Sequence, residues 1–183
     1  MKIREFLSTS PGPSIAPTLV RVDEWLTAVQ AGKSLRPSDR AKGDPVEHTG
    51  ESLIAKASGP ERKLLSKSLQ EALYYSVGFD TEVDSVQLKT RLSQYLNRSG
   101  THAFIRLFLS LFFFNFVRFE TGESFRRLAT SSKAFEEYLE DIDRACHQTV
   151  ASVWKSFEKT KRPLDLTAAT DLVSQVDRRL RGN

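Results

Sequence analysis

The least polar stretch of the chain is 101–121, where between Arg106 and Arg118 only Ser110 and Asn115 are polar. A helix built from these residues has no solvent face, and a helix apolar on every side is buried. Its charge-free part, Leu107 to Val117, falls short of the roughly 20 residues that cross a hydrocarbon core. The expectation is therefore the central helix of a domain rather than a membrane span.

Around this segment apolar residues recur at intervals of three and four, as on one face of a helix. Pro17 fits the first turn of a helix carrying Leu19, Val22, Trp25, Leu26 and Val29, which Gly32 ends. Ahead of it, residues 1–16 read as an arm, with Pro11, Gly12 and Pro13 breaking any regular element. From 33 to 57 the periodicity fails under Pro37, Gly43, Pro45 and Gly50, and the expectation is a flexible polar loop.

Periodicity resumes over 58–183, the expected helical core. Ser58 and Glu61 fit a capping box before the stripe Leu64, Leu65, Leu69, Ala72, Leu73, Val77. After Gly78, Asp80 or Thr81 is the expected cap of a helix with Val83, Val86, Leu92, Tyr95 and Leu96, antiparallel to its predecessor. Thr101 then caps the apolar helix, expected to end near Gly122, with a separate short turn at 124–129. Ser131 and Ser132 open the longest periodic segment, from Phe135 to Phe157, stopped by Pro163. At about 30 residues it is a rod of about 45 Å, long enough to span the domain or reach past it. A final helix follows over about 166–181. The predicted class is all-α: one helical-bundle domain of about six to seven helices around a central Phe-rich helix.

Composition adds less. The chain has 183 residues, enough for one self-supporting core. Cys146 is the sole cysteine, so no internal disulfide can form, which fits a reducing compartment. With no apolar stretch of signal-peptide length at the N-terminus, a cytoplasmic location is the default expectation. The 27 basic against 23 acidic residues give +4 and a pI near 9.3, a mild bias towards a polyanionic partner.

Candidate contacts with such a partner are Lys33, Arg36, Arg40 and Lys42 in the loop, Lys155, Lys159, Lys161 and Arg162 closing the long helix, and Arg178, Arg179 and Arg181 closing the last. Helix dipoles account for much of this placement, since cations gain about 0.3–1 kcal/mol at a helix C-terminus. In an antiparallel pair the last two clusters would lie at opposite ends. Glu136, Glu137, Glu140 and Asp141 at the start of the long helix suit its positive pole rather than a metal.

No catalytic constellation, cofactor motif or metal-ligand spacing stands out. Cys146 lies on an apolar stripe, and its neighbour His147 points about 100° away around the helix, so they do not make a nucleophile and base. His48 and His102 have no ligand spacing. The tetrapeptide Thr-Gly-Glu-Ser occurs at 49–52 and 121–124; it reads as a turn leading into a helix, and the flanks do not align as a duplication.

The leading expectation is a non-catalytic helical adaptor or accessory subunit of a larger complex, with nucleic acid as a candidate component, meeting another subunit or itself through helices. The alternatives are a basic all-helical nucleic-acid-binding protein and a membrane-active protein that exposes the phenylalanines. Core packing explains the same phenylalanines, because aromatic side chains bury large areas.

Overall fold

The structure is a computed structural model that describes residues 9–33, 44–54, 56–78 and 84–182. Among these residues the chain forms seven helices: α1 Ile15–Gln30, α2 Pro45–Leu53, α3 Gly59–Val77, α4 Ser85–Ser99, α5 Thr101–Leu128, α6 Ser132–Glu158 and α7 Leu166–Leu180. They pack as one all-α domain. The Phe-rich α5 runs through it, with α3 and α6 as its main neighbours and α1 and α4 also against it; α7 lies on α6 and α1, and α2 covers α3.

The apolar sequence of α5 is buried as expected. Phe104, Ile105, Phe108, Leu109, Phe113 and Val117 have no exposed surface, and Phe112 retains 1%. Taken whole, Thr101–Arg127 is long and apolar enough to cross a membrane by length and composition alone, yet 61% of its most apolar window is buried inside the domain, as in a core helix. The two polar residues between Arg106 and Arg118 are satisfied. Ser110 Oγ donates to the Arg106 carbonyl at 2.8 Å, and the Asn115 amide donates to Ser68 Oγ at 3.1 Å and Glu71 Oε2 at 2.8 Å. Those last two bonds tie α5 to α3 in the interior, where an unpaired amide would cost several kcal/mol.

Four of the helices, α2, α4, α6 and α7, begin where a side chain accepts the free backbone N–H groups of the first turn. Asp44 accepts from Val46 N, Ser131 from Ala134 N and Asp165 from Ala168 N. Asp84 accepts from Val86 N and Gln87 N, and the Gln87 side chain accepts in return from the Asp84 backbone N–H, a complete capping box. The expected caps Asp80 and Thr81 lie outside the described residues. Gly100 alone joins α4 to α5, with φ of 80°. Only glycine adopts that conformation at no steric cost.

Several elements differ from expectation. Within the supposed loop, 45–53 form α2. Val46, Thr49, Gly50 and Leu53 follow a helical i, i+3, i+4, i+7 face and are all buried, Pro45 sits in the first turn, and Asp44 caps it. The two residues that looked like breakers are thus accommodated. A Cβ at Gly50 would stand 3.2 Å from Gln70 Cγ, so the glycine lets α2 approach α3 closely. Ser58 precedes α3 but makes no side-chain cap; Glu61 turns away to accept from Ser14 N at 2.7 Å and Ser14 Oγ at 3.1 Å. That bond anchors the start of α1, where Ile15 and Ala16 are already buried, two residues earlier than the expected start at 17. Helix α5 does not stop at Gly122 but continues to Leu128, and both Thr-Gly-Glu-Ser copies lie inside helices rather than in turns.

Helices α6 and α7 are antiparallel. Arg162 pairs with Asp171 at 3.9 Å near the turn, and Arg179 donates to Ser152 Oγ at 2.7 Å farther along. With 27 residues, α6 is about 40 Å long at the standard helical rise. Its stripe from Tyr138 to Trp154 is buried within the chain.

Candidate docking groove

The last turns of α5 leave the interior. Phe116 and Val117 are buried, but Phe119 is 58% exposed. From here α5, the first half of α3 and the start of α6 enclose a half-open groove of about 950 Å³. Its apolar floor is Pro60, Leu64, Phe119 and Phe135, and Asn115 reaches its inner end. Five cations line it, Lys63 and Lys67 from α3 and Arg118, Arg126 and Arg127 from α5, against one carboxylate, Glu123.

Helical spacing builds both walls. Lys63 and Lys67 are four residues apart on α3, and Arg118, Gly122 and Arg126 are spaced by four on α5, so each set lies along one face. Three of the cations have local partners. Lys67 pairs with Glu71 at 3.8 Å, and Arg127 pairs with Glu123 within α5. Arg126 stands 5.7 Å from the centre of the Phe135 ring, a cation–π contact. Among the described residues Lys63 and Arg118 have no such partner. Arg126 and Arg127 suit the negative end of α5, whereas Lys63, just past the first turn of α3, gains nothing from its helix dipole. Helix stability alone therefore does not explain the cations of this groove.

The cations singled out by sequence lie elsewhere. Arg36, Arg40 and Lys42 fall outside the described residues, and Lys33 is exposed just beyond α1. Lys155 is exposed in the last turn of α6, Lys159 and Lys161 are exposed just beyond it, and Arg178 is exposed on α7. Arg162 and Arg179 are engaged across the α6–α7 pair as described above. Arg181 is mostly buried; it bonds Asp177 through Nε at 2.9 Å and donates to the Thr9 carbonyl, closing the end of α7 onto the start of the described chain. As the antiparallel pairing implies, Arg162 and Arg181 lie at opposite ends of α7. The groove escaped sequence reading because its two walls are some fifty residues apart in the chain. The available signal was the Arg118, Gly122, Arg126 row, which requires α5 to continue past Gly122.

The titratable groups outside the groove serve the fold. Burial, and secondarily Asp143, pushes the Cys146 thiol up to about 12, leaving it without the thiolate that a nucleophile needs. His147 pairs with Asp143 at 3.5 Å. At the start of α5, His102 pairs with Glu158 at 3.6 Å and meets the Trp154 ring edge to face at 5.3 Å, while Trp154 Nε1 donates to Glu158 at 2.9 Å. Burial pushes the nearby Asp23 carboxyl above its usual value, opposed by His102. Among the described residues no group of three or more His, Cys, Asp or Glu side chains is placed to hold a metal ion. Lys133 pairs with Glu137 and Arg144 with Asp141, so these two α6 carboxylates act within their own helix.

No family model matches this chain, and no curated protein or solved structure matches it significantly. The class that the fold defines is an all-α domain of packed helices, here with a cationic groove over an apolar floor.

Proposed function

We propose that the protein is a non-catalytic helical adaptor or accessory subunit that holds an anionic partner in the groove between α3 and α5. The observation that carries this reading is the grouping of five cations around an apolar floor, with Lys63 and Arg118 unpaired among the described residues. Clustered like charges are costly unless an opposite charge arrives, and complementary charge both speeds and orients docking. The suppressed Cys146 thiol, and the placement of His102 and His147 beside the carboxylates of Glu158 and Asp143 with no nucleophile bonded to either among the described residues, support a binding role rather than a chemical one.

A photo-crosslinking residue at Phe119, used in the native host, tests the reading. The expected adduct is a protein, and it should be lost when Lys63→Glu and Arg118→Glu are combined. Labelling unaffected by the charge reversals would count against it. A second reading, single-stranded nucleic acid, is favoured by the exposed Phe119 beside Arg118, because bases stack on aromatic rings flanked by cations. Its signature is an RNA adduct and an affinity that falls steeply with salt. The membrane-active reading has less support, since Phe119 is the one clearly exposed phenylalanine of α5.

A further inference from the structure

Gly122 lies within α5, a position where glycine is the poorest helix former apart from proline. Packing does not require it. Outside the local helix backbone, the nearest atom to the place of a Cβ is Arg118 Cγ, at 4.0 Å, so the missing side chain leaves a notch in the groove wall. Arg118 and Arg126 stand one turn to either side of that notch, about 12 Å apart along the axis. A wall of cation, gap, cation over an apolar floor matches a rod of the same pitch.

We propose that the groove receives an acidic amphipathic helix of a partner protein, about two turns long, whose backbone approaches α5 at Gly122. This inference rests on the adaptor reading above and specifies its partner. The apolar edge of such a helix, recurring at i, i+3 or i+4 and i+7, meets Leu64 and Phe119, and its carboxylates face Lys63, Arg118 and Arg126. Close contact between helices needs a small residue on one of them, and Gly122 supplies it. Nucleic acid fits less well, because Arg126 already covers one face of Phe135 and so takes a ring on which a base would stack. A flat lipid surface fits less well still, because the cations line a concavity.

Selection of random 16-residue peptides on the full-length protein, with counter-selection on Gly122→Leu, tests the partner chemistry. The leucine variant is chosen because it fills the notch while favouring the helix, so its thermal midpoint should hold or rise. Enriched peptides should carry acidic residues with apolar anchors at helical spacing. By fluorescence anisotropy they should bind Gly122→Leu and Arg118→Glu at least tenfold more weakly than the unchanged protein. No enrichment, enrichment of basic or proline-rich peptides, or equal binding to Gly122→Leu would overturn the proposal. A labelled oligouridylate, or vesicles containing phosphatidylserine, bound tightly by the protein and released by Gly122→Leu, would overturn it in favour of that occupant. If the selection fails while the Phe119 crosslink still captures a protein, the adaptor reading survives and only the helical partner falls; if both fail, both readings fall.

Discussion

Glu61 shows how one side chain can fold a chain back on itself. Both of its oxygens are taken by Ser14, so a residue expected to close its own helix fastens the entry of α1 to the start of α3 across 47 residues. Ser14 is only 7% exposed, and removing its acceptor leaves a backbone N–H unpaired near the interior. Glu61→Ala should therefore cost about 1–3 kcal/mol, read as a lower urea midpoint with unchanged slope. A midpoint equal to the parent's would mean that water replaces the contact without loss. Asp23 acts in the opposite sense. Burial raises its carboxyl above the ordinary 3.8, so the folded state holds a proton more tightly than the unfolded one, and ionisation subtracts stability as pH rises from the unfolded value through the folded one. Asp23→Asn should raise the melting temperature at pH 7, and the gain should vanish below about pH 3.8, where both states are protonated. A gain that stays constant from pH 3 to pH 7 would assign the effect to shape instead.

Two glycines, one at the α4–α5 junction and one inside α5, make a controlled pair at the level of the element. Gly100 has φ of 80°, where an alanine carries the steric cost of the left-handed region, and Gly122 is helical with free space beside it. Gly100→Ala should destabilise by about 1–2 kcal/mol, while Gly122→Ala should stabilise by up to about 1 kcal/mol, both measured by thermal unfolding. The same contrast explains what sequence reading reached. Helices α5, α6 and α7 were legible because long apolar patterns over many turns have one economical explanation, burial. Helix α2 was hidden because in nine residues Pro45 and Gly50 look like punctuation, although proline suits a first turn and the glycine serves close packing against Gln70.

Across the whole molecule, buried residues from all seven helices join one hydrophobic cluster, so the fold behaves as a single unit. The all-α class and the central helix could be read from the residues because burial leaves a one-dimensional trace. The groove could not, because its charge density exists only once α3 and α5 lie side by side. For the same reason the basic ends of α6 and α7 looked more available than they are: Asp171 and Ser152 were invisible as partners until the helices packed, whereas Asp177 stands four residues before Arg181, a spacing the sequence already showed. Lys63 and Arg118 are both exposed. Replacing the two by glutamate should leave the circular dichroism spectrum unchanged and the stability within about 0.5 kcal/mol of the parent's, as is usual for surface substitutions. A large loss of stability would mean that they support the fold.

The keel of this protein is also its outermost rail: the helix whose first half forms the interior emerges, without interruption, as one lip of the groove. A guest seated there grips the spine of the fold rather than an appendage. Its grip should therefore be felt along the whole length of that spine, as slower amide exchange at Phe108 and Phe112 several turns away as well as at the lip. Occupancy and durability then become one quantity, and cells that lose the guest should also lose the host to proteolysis sooner.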